Sequence, residues 1–176
     1  MSQTIFITGG ARSGKSKFAE QLAANYGTPL GYLATAQSLD NEMGQRIQKH
    51  QHRRGDAWQT VEEPLQLSQT LAAIDGRFKV ILLDCLTLWL SNLLLQEELS
   101  DGTEGRIIEE VRQLVTTLSN MTTPVIIVSN EVGMGIVPEN KLARIFRDIA
   151  GQANQIIAAT ADEAWLVASG IPLRLK

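Results

Sequence analysis

Short apolar runs alternate with amphipathic stretches along most of this chain. Thr4–Thr8, Leu30–Ala34, Lys79–Asp84 and Val125–Asn130 each carry a compact block of aliphatic residues bounded by polar residues, glycine or proline. Runs that are apolar without alternation predict strands covered on both faces, as in a parallel sheet. Between them, Lys17–Ala24, Leu65–Ile74, Glu104–Ser119 and Asn140 to about Thr160 have helical spacing of their apolar positions. Leu86–Leu95 reads as a core helix that includes Trp89, and Trp58–Val61 as a short strand closed by Glu62-Glu63-Pro64. Near the end, Ala164–Ala168 and Leu173–Lys176 flank Ser169-Gly170-Ile171-Pro172, which predicts a hairpin and therefore an antiparallel edge strand.

The first strand gives this pattern a chemical meaning. Gly9-Gly10-Ala11-Arg12-Ser13-Gly14-Lys15-Ser16 follows it directly and satisfies G-x-x-x-x-G-K-[S/T] at every fixed position, with the first helix immediately behind. Glycines allow consecutive N–H groups to turn inward toward a phosphate, and the helix N-terminus adds about half a positive charge. Lys15 is expected to reach the β- and γ-phosphates and Ser16 to hold Mg²⁺. Four apolar residues followed by Asp84 match the partner strand of such a loop, whose carboxylate orders the metal shell. The predicted fold is therefore α/β, one P-loop NTPase-type domain over residues 1–176, with a mostly parallel central sheet, helices on both faces and a C-terminal antiparallel edge strand.

Composition narrows the partners. Sixteen Lys and Arg against nineteen Asp and Glu leave a net charge of −3 in 176 residues, so no global basic field is available for a nucleic acid or an anionic membrane. The apolar stretch Val80–Leu95 contains Asp84 and falls short of the roughly 20 apolar residues of a membrane span. The N-terminus lacks a basic region followed by an apolar stretch, so no signal peptide is expected. The single cysteine, Cys85, follows a buried run and suits a small core side chain in a reducing cytoplasm.

Asn41 to about Arg54, with Asp40 as a possible N-cap, has helical character and is rich in nitrogen side chains. Arg46, His50, Arg53 and Arg54 fall at i, i+4, i+7 and i+8 and share a face, while His52 points nearly the opposite way. Neighbouring positive charge favours a neutral, nucleophilic imidazole, and arginines hold phosphates. A solvated basic face with His50 on it has the same spacing, and pattern alone favours that reading. Thr35-Ala36-Gln37-Ser38 leaves the second strand where ligands gather in parallel sheets, as does the glycine-broken stretch Glu131–Pro138 after the Val125 strand.

Four blocks make the chain resemble a known family, the bifunctional adenosylcobinamide kinase/adenosylcobinamide-phosphate guanylyltransferases of cobalamin biosynthesis. They are Thr8–Ser16, Arg46–His50, Ser129–Asn140 and Phe146–Gln155, and the third is the most diagnostic. The resemblance implies phosphorylation of adenosylcobinamide with ATP or GTP, then transfer of GMP from GTP through a guanylylated histidine. By the Arg-Ile-Gln-x-His match that histidine is His50, so resemblance reverses the preference that spacing gave. It also implies nucleotide contacts at Gly9, Gly10, Ala11, Arg12, Ser13, Gly14, Lys15 and Ser16, at Ala34, Thr35 and Ala36, at Gln51, His52, Arg53 and Arg54, and at Glu62 and Asp84. Ser16 and Asp84 are the expected Mg²⁺ residues, His50 and Lys15 the catalytic ones, and a cytoplasmic homotrimer the expected assembly.

Three other classes are compatible with parts of the sequence. A kinase of another small metabolite needs the phosphate loop and no nucleophilic histidine. A regulatory GTPase needs an N-K-x-D segment, which Ser129-Asn130-Glu131-Val132 does not supply. A nucleic-acid-bound ATPase needs a basic or aromatic tract, which the composition opposes.

Overall fold

The structure is a computed structural model, described over residues 3–36 and 55–176. Its described elements follow the order β1 (Thr4–Thr8), α1 (Lys15–Ala24), β2 (Leu30–Ala34), β3 (Trp58–Glu62), α2 (Leu67–Ile74), β4 (Val80–Asp84), α3 (Leu86–Gln96), α4 (Thr103–Asn120), β5 (Val125–Val128), α5 (Lys141–Thr160), β6 (Glu163–Ala168) and β7 (Ile171–Arg174). The strands form one sheet in the order β3-β2-β4-β5-β1-β6-β7. Every pairing is parallel except that of β6 with β7.

Central strands β4 and β5 are buried from Val80 to Leu83 and from Val125 to Val128, as their unbroken apolar runs require. Side chains alternate across the sheet. Phe6, Leu33, Ile81, Leu83 and Ile127 join the core under α2, α3, α4 and α5, where Trp89 and Leu90 are fully covered. Ile5, Ile7, Tyr32, Leu82 and Val128 face the other way, against Ala19 and Ala23 of α1. Small residues at those two positions let the helix approach the strands closely. Phe18 of α1 packs edge-on against Trp165 of β6 with ring centroids 5.3 Å apart, fixing the helix over the β1–β6 side.

Several boundaries shift from the sequence reading, each for a local reason. Helix α1 begins at Lys15 rather than Lys17, because Gly14 in the left-handed region ends the loop and Phe18 N–H already donates to Gly14 O at 3.0 Å. Helix α2 begins at Leu67, not Leu65: Glu63 Oε1 accepts from the N–H groups of Leu65 and Gln66 at 2.8 Å each and holds them in a turn. The final turn is only Ser169 and Gly170, at φ 52° and 81°, so β7 starts at Ile171 and ends at Arg174. Two residues with positive φ make the tight hairpin that suits twisted strands, and Pro172 is tolerated because β7 is an edge. The basic helix expected at Asn41 to about Arg54 and the loop residues Gln37 and Ser38 lie outside the described residues. Among the described residues, no helix is long and apolar enough to cross a membrane.

Candidate functional site

Strand register sets six strands in line toward the sheet's C-terminal edge. One row across the sheet runs Glu62, Ala34, Asp84, Val128, Ile7 and Trp165. Residues just beyond that row therefore share the sheet's C-terminal edge, and they include Thr8, Thr35, Cys85 and Ser129. Neighbouring strands lie about 4.8 Å apart. Asp84 is thus two strand intervals from β1, roughly 10 Å, and Glu62 four intervals, roughly 19 Å.

The phosphate loop is shaped by its neighbours as much as by its own sequence. Gly9 has φ 150°, and a Cβ there would sit 2.3 Å from the Val167 carbonyl oxygen, so only glycine fits between β1 and β6. Gly14 has φ 99° and lies against Gly170, 3.2 Å from where its own Cβ would be. Gly170 N–H donates to Ser13 O at 2.7 Å, and Glu131 N–H donates to Gly9 O at 3.0 Å. The loop is consequently clamped at one end by the β5 exit and at the other by the β6–β7 turn. Arg12, exposed at the loop tip, takes the left-handed region at φ 56°.

Within this clamp Lys15 is buried, and its Nζ donates to Gly10 O at 2.6 Å. Burial lowers the Lys15 pKa below the ordinary lysine range, while the nearby Cys85 and Asp84 oppose that shift. The Cys85 thiol is itself neutral at pH 7, because burial pushes it up to about 11. Among the described residues, Thr8 Oγ1 and Ser13 Oγ are buried without a hydrogen-bond partner. Orphaned hydroxyls on both sides of a glycine loop suit a phosphate cradle, where an anion would satisfy them. Ser16 stands half-buried in the first turn of α1. Asp84 is also half-buried, and its Oδ2 accepts from Tyr32 Oη at 3.1 Å. A hydroxyl and a carboxylate are hard oxygen donors of the kind Mg²⁺ takes, in ones and twos, alongside substrate phosphates.

Thr35 joins two strand exits. Its Oγ1 donates to Cys85 O at 2.8 Å and accepts from Cys85 N–H at 2.9 Å, and the residue is fully buried. Its hydroxyl is therefore occupied in holding β2 to β4. Thr35 O accepts from Asn92 Nδ2 at 2.9 Å, and the same amide nitrogen donates to Pro64 O at 3.0 Å, which ties the β2 and β3 exits to α3. Ala34 pairs with both Glu62 and Asp84, and Ala36 is half-buried just beyond.

A further polar chain runs beneath the edge. Asn154 of α5 accepts from Ser129 Oγ at 2.6 Å and donates to Asn130 O at 3.2 Å; Asn130 Nδ2 donates to Thr87 Oγ1 at 2.8 Å. Tyr32, Thr87 and Asn92 had no motif to announce them, since each acts through a partner distant in sequence. The polar end of the Val125–Asn130 run and the Phe146–Gln155 block, which contains Asn154, hinted at this chain. Trp58, half-buried, meets Tyr32 edge-on at 6.3 Å as a packing residue. Among the predicted site residues, the structure brings the phosphate loop, Lys15, Ser16 and Asp84 together and sets Glu62 at the far end of the same edge. His50, Gln51, His52, Arg53 and Arg54 lie outside the described residues.

A phosphate loop between a first parallel strand and its helix, with an acidic strand end two strands away, defines a P-loop nucleotide-binding protein. Residues 5–175 match the family described as cobinamide kinase / cobinamide phosphate guanyltransferase. The chain is 44% identical to the bifunctional adenosylcobalamin biosynthesis protein CobU of Escherichia coli, over 98% of this chain and 99% of that protein. It is 46% identical to the protein of the same name from Salmonella typhimurium, with the same coverage, and 44% identical to CobP of Pseudomonas aeruginosa over 97% of this chain and 95% of that protein. The chain belongs to the cobinamide kinase / cobinamide phosphate guanyltransferase family.

Proposed function

We propose that this protein phosphorylates adenosylcobinamide with ATP or GTP and then transfers GMP from GTP to the product, giving adenosylcobinamide-GDP. The observation that carries this reading is the clamped phosphate cradle, Gly9 to Ser16, in a chain that belongs to this family from near its first residue to its last strand. In the first reaction the acceptor hydroxyl attacks the γ-phosphorus and a nucleoside diphosphate departs. That step needs alignment and charge neutralisation, which the loop N–H groups and Lys15 supply. Ser16 and Asp84 would hold Mg²⁺, which neutralises phosphate charge when bound.

In the second reaction His50 attacks the α-phosphorus of GTP and expels pyrophosphate, and the cobinamide phosphate then takes GMP from the phosphoramidate. Arg53 and Arg54, with Gln51 and His52, belong to the nucleotide's surroundings in this reading. Glu62, roughly 19 Å along the sheet edge from β1, suits the base or ribose end of a nucleotide better than its phosphates. Ala34, Thr35 and Ala36 contribute backbone between those ends. The reading includes a cytoplasmic homotrimer, supported by family membership and by the exposed apolar positions Ile171, Leu173 and Leu175 at the β7 edge. Light scattering on the purified protein measures that assembly directly.

Intact-protein mass spectrometry after incubation with GTP and Mg²⁺ tests the covalent step. One GMP adduct, mapped to His50 and lost in His50→Ala while phosphorylation of adenosylcobinamide persists, is the expected result. An adduct that survives in His50→Ala would overturn the assignment.

A further inference from the structure

The kinase reaction needs a group to receive the acceptor's proton, and the phosphate loop contains no carboxylate. Among the described residues, three acidic ones near the sheet's C-terminal edge and outside the β5–α5 loop have other placements. Asp84 accepts from Tyr32 beside the cradle, Glu63 is engaged by the Leu65 and Gln66 N–H groups, and Glu62 is four strands away from β1. Glu131 differs from all of these. It leaves β5, the direct neighbour of β1, and its N–H is bonded to Gly9 O, so its backbone is pinned to the start of the phosphate loop. Its Oε1 accepts from Gly133 N–H at 2.6 Å, which sets the orientation of the carboxylate.

Beyond Glu131 the chain has stiff ends and an apolar tip. Val132 packs against the helical core, Arg144 Nη1 donates to Pro138 O at 3.0 Å, and Asn140 caps α5 through Ala143 N–H at 3.1 Å. Between these anchors Met134 and Ile136 are 82% and 96% exposed. Two large apolar side chains held in water on a loop whose first residue is bonded to the phosphate loop are suited to a ligand with an apolar body and a reactive polar end.

We propose that the β5–α5 loop is the acceptor-recognition element of the kinase reaction, with Glu131 as the carboxylate that takes the acceptor's hydroxyl proton and Met134 and Ile136 as contacts to its apolar body. This rests on the functional reading above. As the acceptor oxygen bonds to the γ-phosphorus, the bond from that phosphorus to the β,γ-bridging oxygen breaks. Its electron pair leaves with the nucleoside diphosphate, and the hydroxyl proton passes to Glu131.

Glu131→Gln separates proton transfer from loop shape, since the amide oxygen still accepts from Gly133 N–H but the side chain cannot take a proton. The kinase kcat with adenosylcobinamide should fall on the order of 10²-fold or more, while the same preparation still forms the GMP adduct from GTP. In a second variant, Ile136→Ser should raise KM for adenosylcobinamide about tenfold, the effect of one lost aliphatic contact, and move KM for the nucleotide far less. A wild-type kinase kcat in Glu131→Gln, loss of both adduct and kinase together, or an unchanged acceptor KM in Ile136→Ser would each overturn the proposal. A wild-type protein that forms neither product would overturn the functional reading itself.

Discussion

Gly170 N–H donates to Ser13 O at 2.7 Å, so the turn between the last two strands supports the phosphate loop from behind. The two residues are far apart in the chain. Their contact exists because β6 pairs directly with β1, which sends the β6–β7 hairpin back past the loop it braces. The cradle is therefore a tertiary structure with a local motif at its centre, and its failure modes are spread over the chain.

Gly9→Ala should show this first. The added methyl would lie 2.3 Å from Val167 O at φ 150°, a backbone region that L-residues resist. We expect a stability loss of about 1–3 kcal/mol by urea denaturation, together with weaker nucleotide binding by titration calorimetry. Unchanged affinity would mean that β1 and β6 separate at no cost to the cradle.

Thr35→Val keeps the side-chain shape and deletes the hydroxyl that Cys85 uses as both donor and acceptor. Leaving the Cys85 N–H buried and unpaired should cost about 1–3 kcal/mol in chemical denaturation. If stability is unaltered, the β2 and β4 exits are held by something other than this clamp.

Asp75, at the C-cap of α2, accepts from the N–H groups of Thr122 and Thr123 at 2.9 to 3.1 Å. Burial alone would raise its pKa, but hydrogen bonds from Thr123 and Thr122 prevail and lower it to about 2. A depressed folded pKa gives stability that is complete above the unfolded value near 4 and lost as pH falls toward about 2. Asp75 is partly exposed, so Asp75→Ala should cost only about 1 kcal/mol at pH 7, and the difference from wild type should shrink across that acid window. A difference that persists at pH 2 would assign the effect to packing.

The raised Cys85 thiol makes a chemical prediction. Buried and neutral, it should resist iodoacetamide at pH 8 in the folded protein and react fully once the chain is unfolded in urea. Rapid labelling of the native protein, read by mass spectrometry, would show that the β4 exit opens far more often than the structure implies.

Much was legible in the sequence because its signals are local. The runs Val80–Leu83 and Val125–Val128 had to be covered on both faces, and glycines with Lys15 and Ser16 between a strand and a helix specify a phosphate loop wherever they occur. Ser129–Asn140 and the other shared blocks likewise pointed to the family that residues 5–175 match. The bracing groups were not legible for the opposite reason. Nothing beside Thr35 announces Cys85, nothing beside Gly9 announces Val167 or Glu131, and Asn154 meets Ser129 only once α5 has docked. A hydrogen bond or a steric contact between distant residues depends on strand order and register, which periodicity does not encode. By itself, then, the sequence determined the strand–helix pattern, the phosphate loop and the likeness to a family. Only the tertiary structure decided that Gly9 must be glycine because of Val167, that Thr35 serves Cys85, and that Glu131 stands at the phosphate loop, because sheet packing brings those chain segments together.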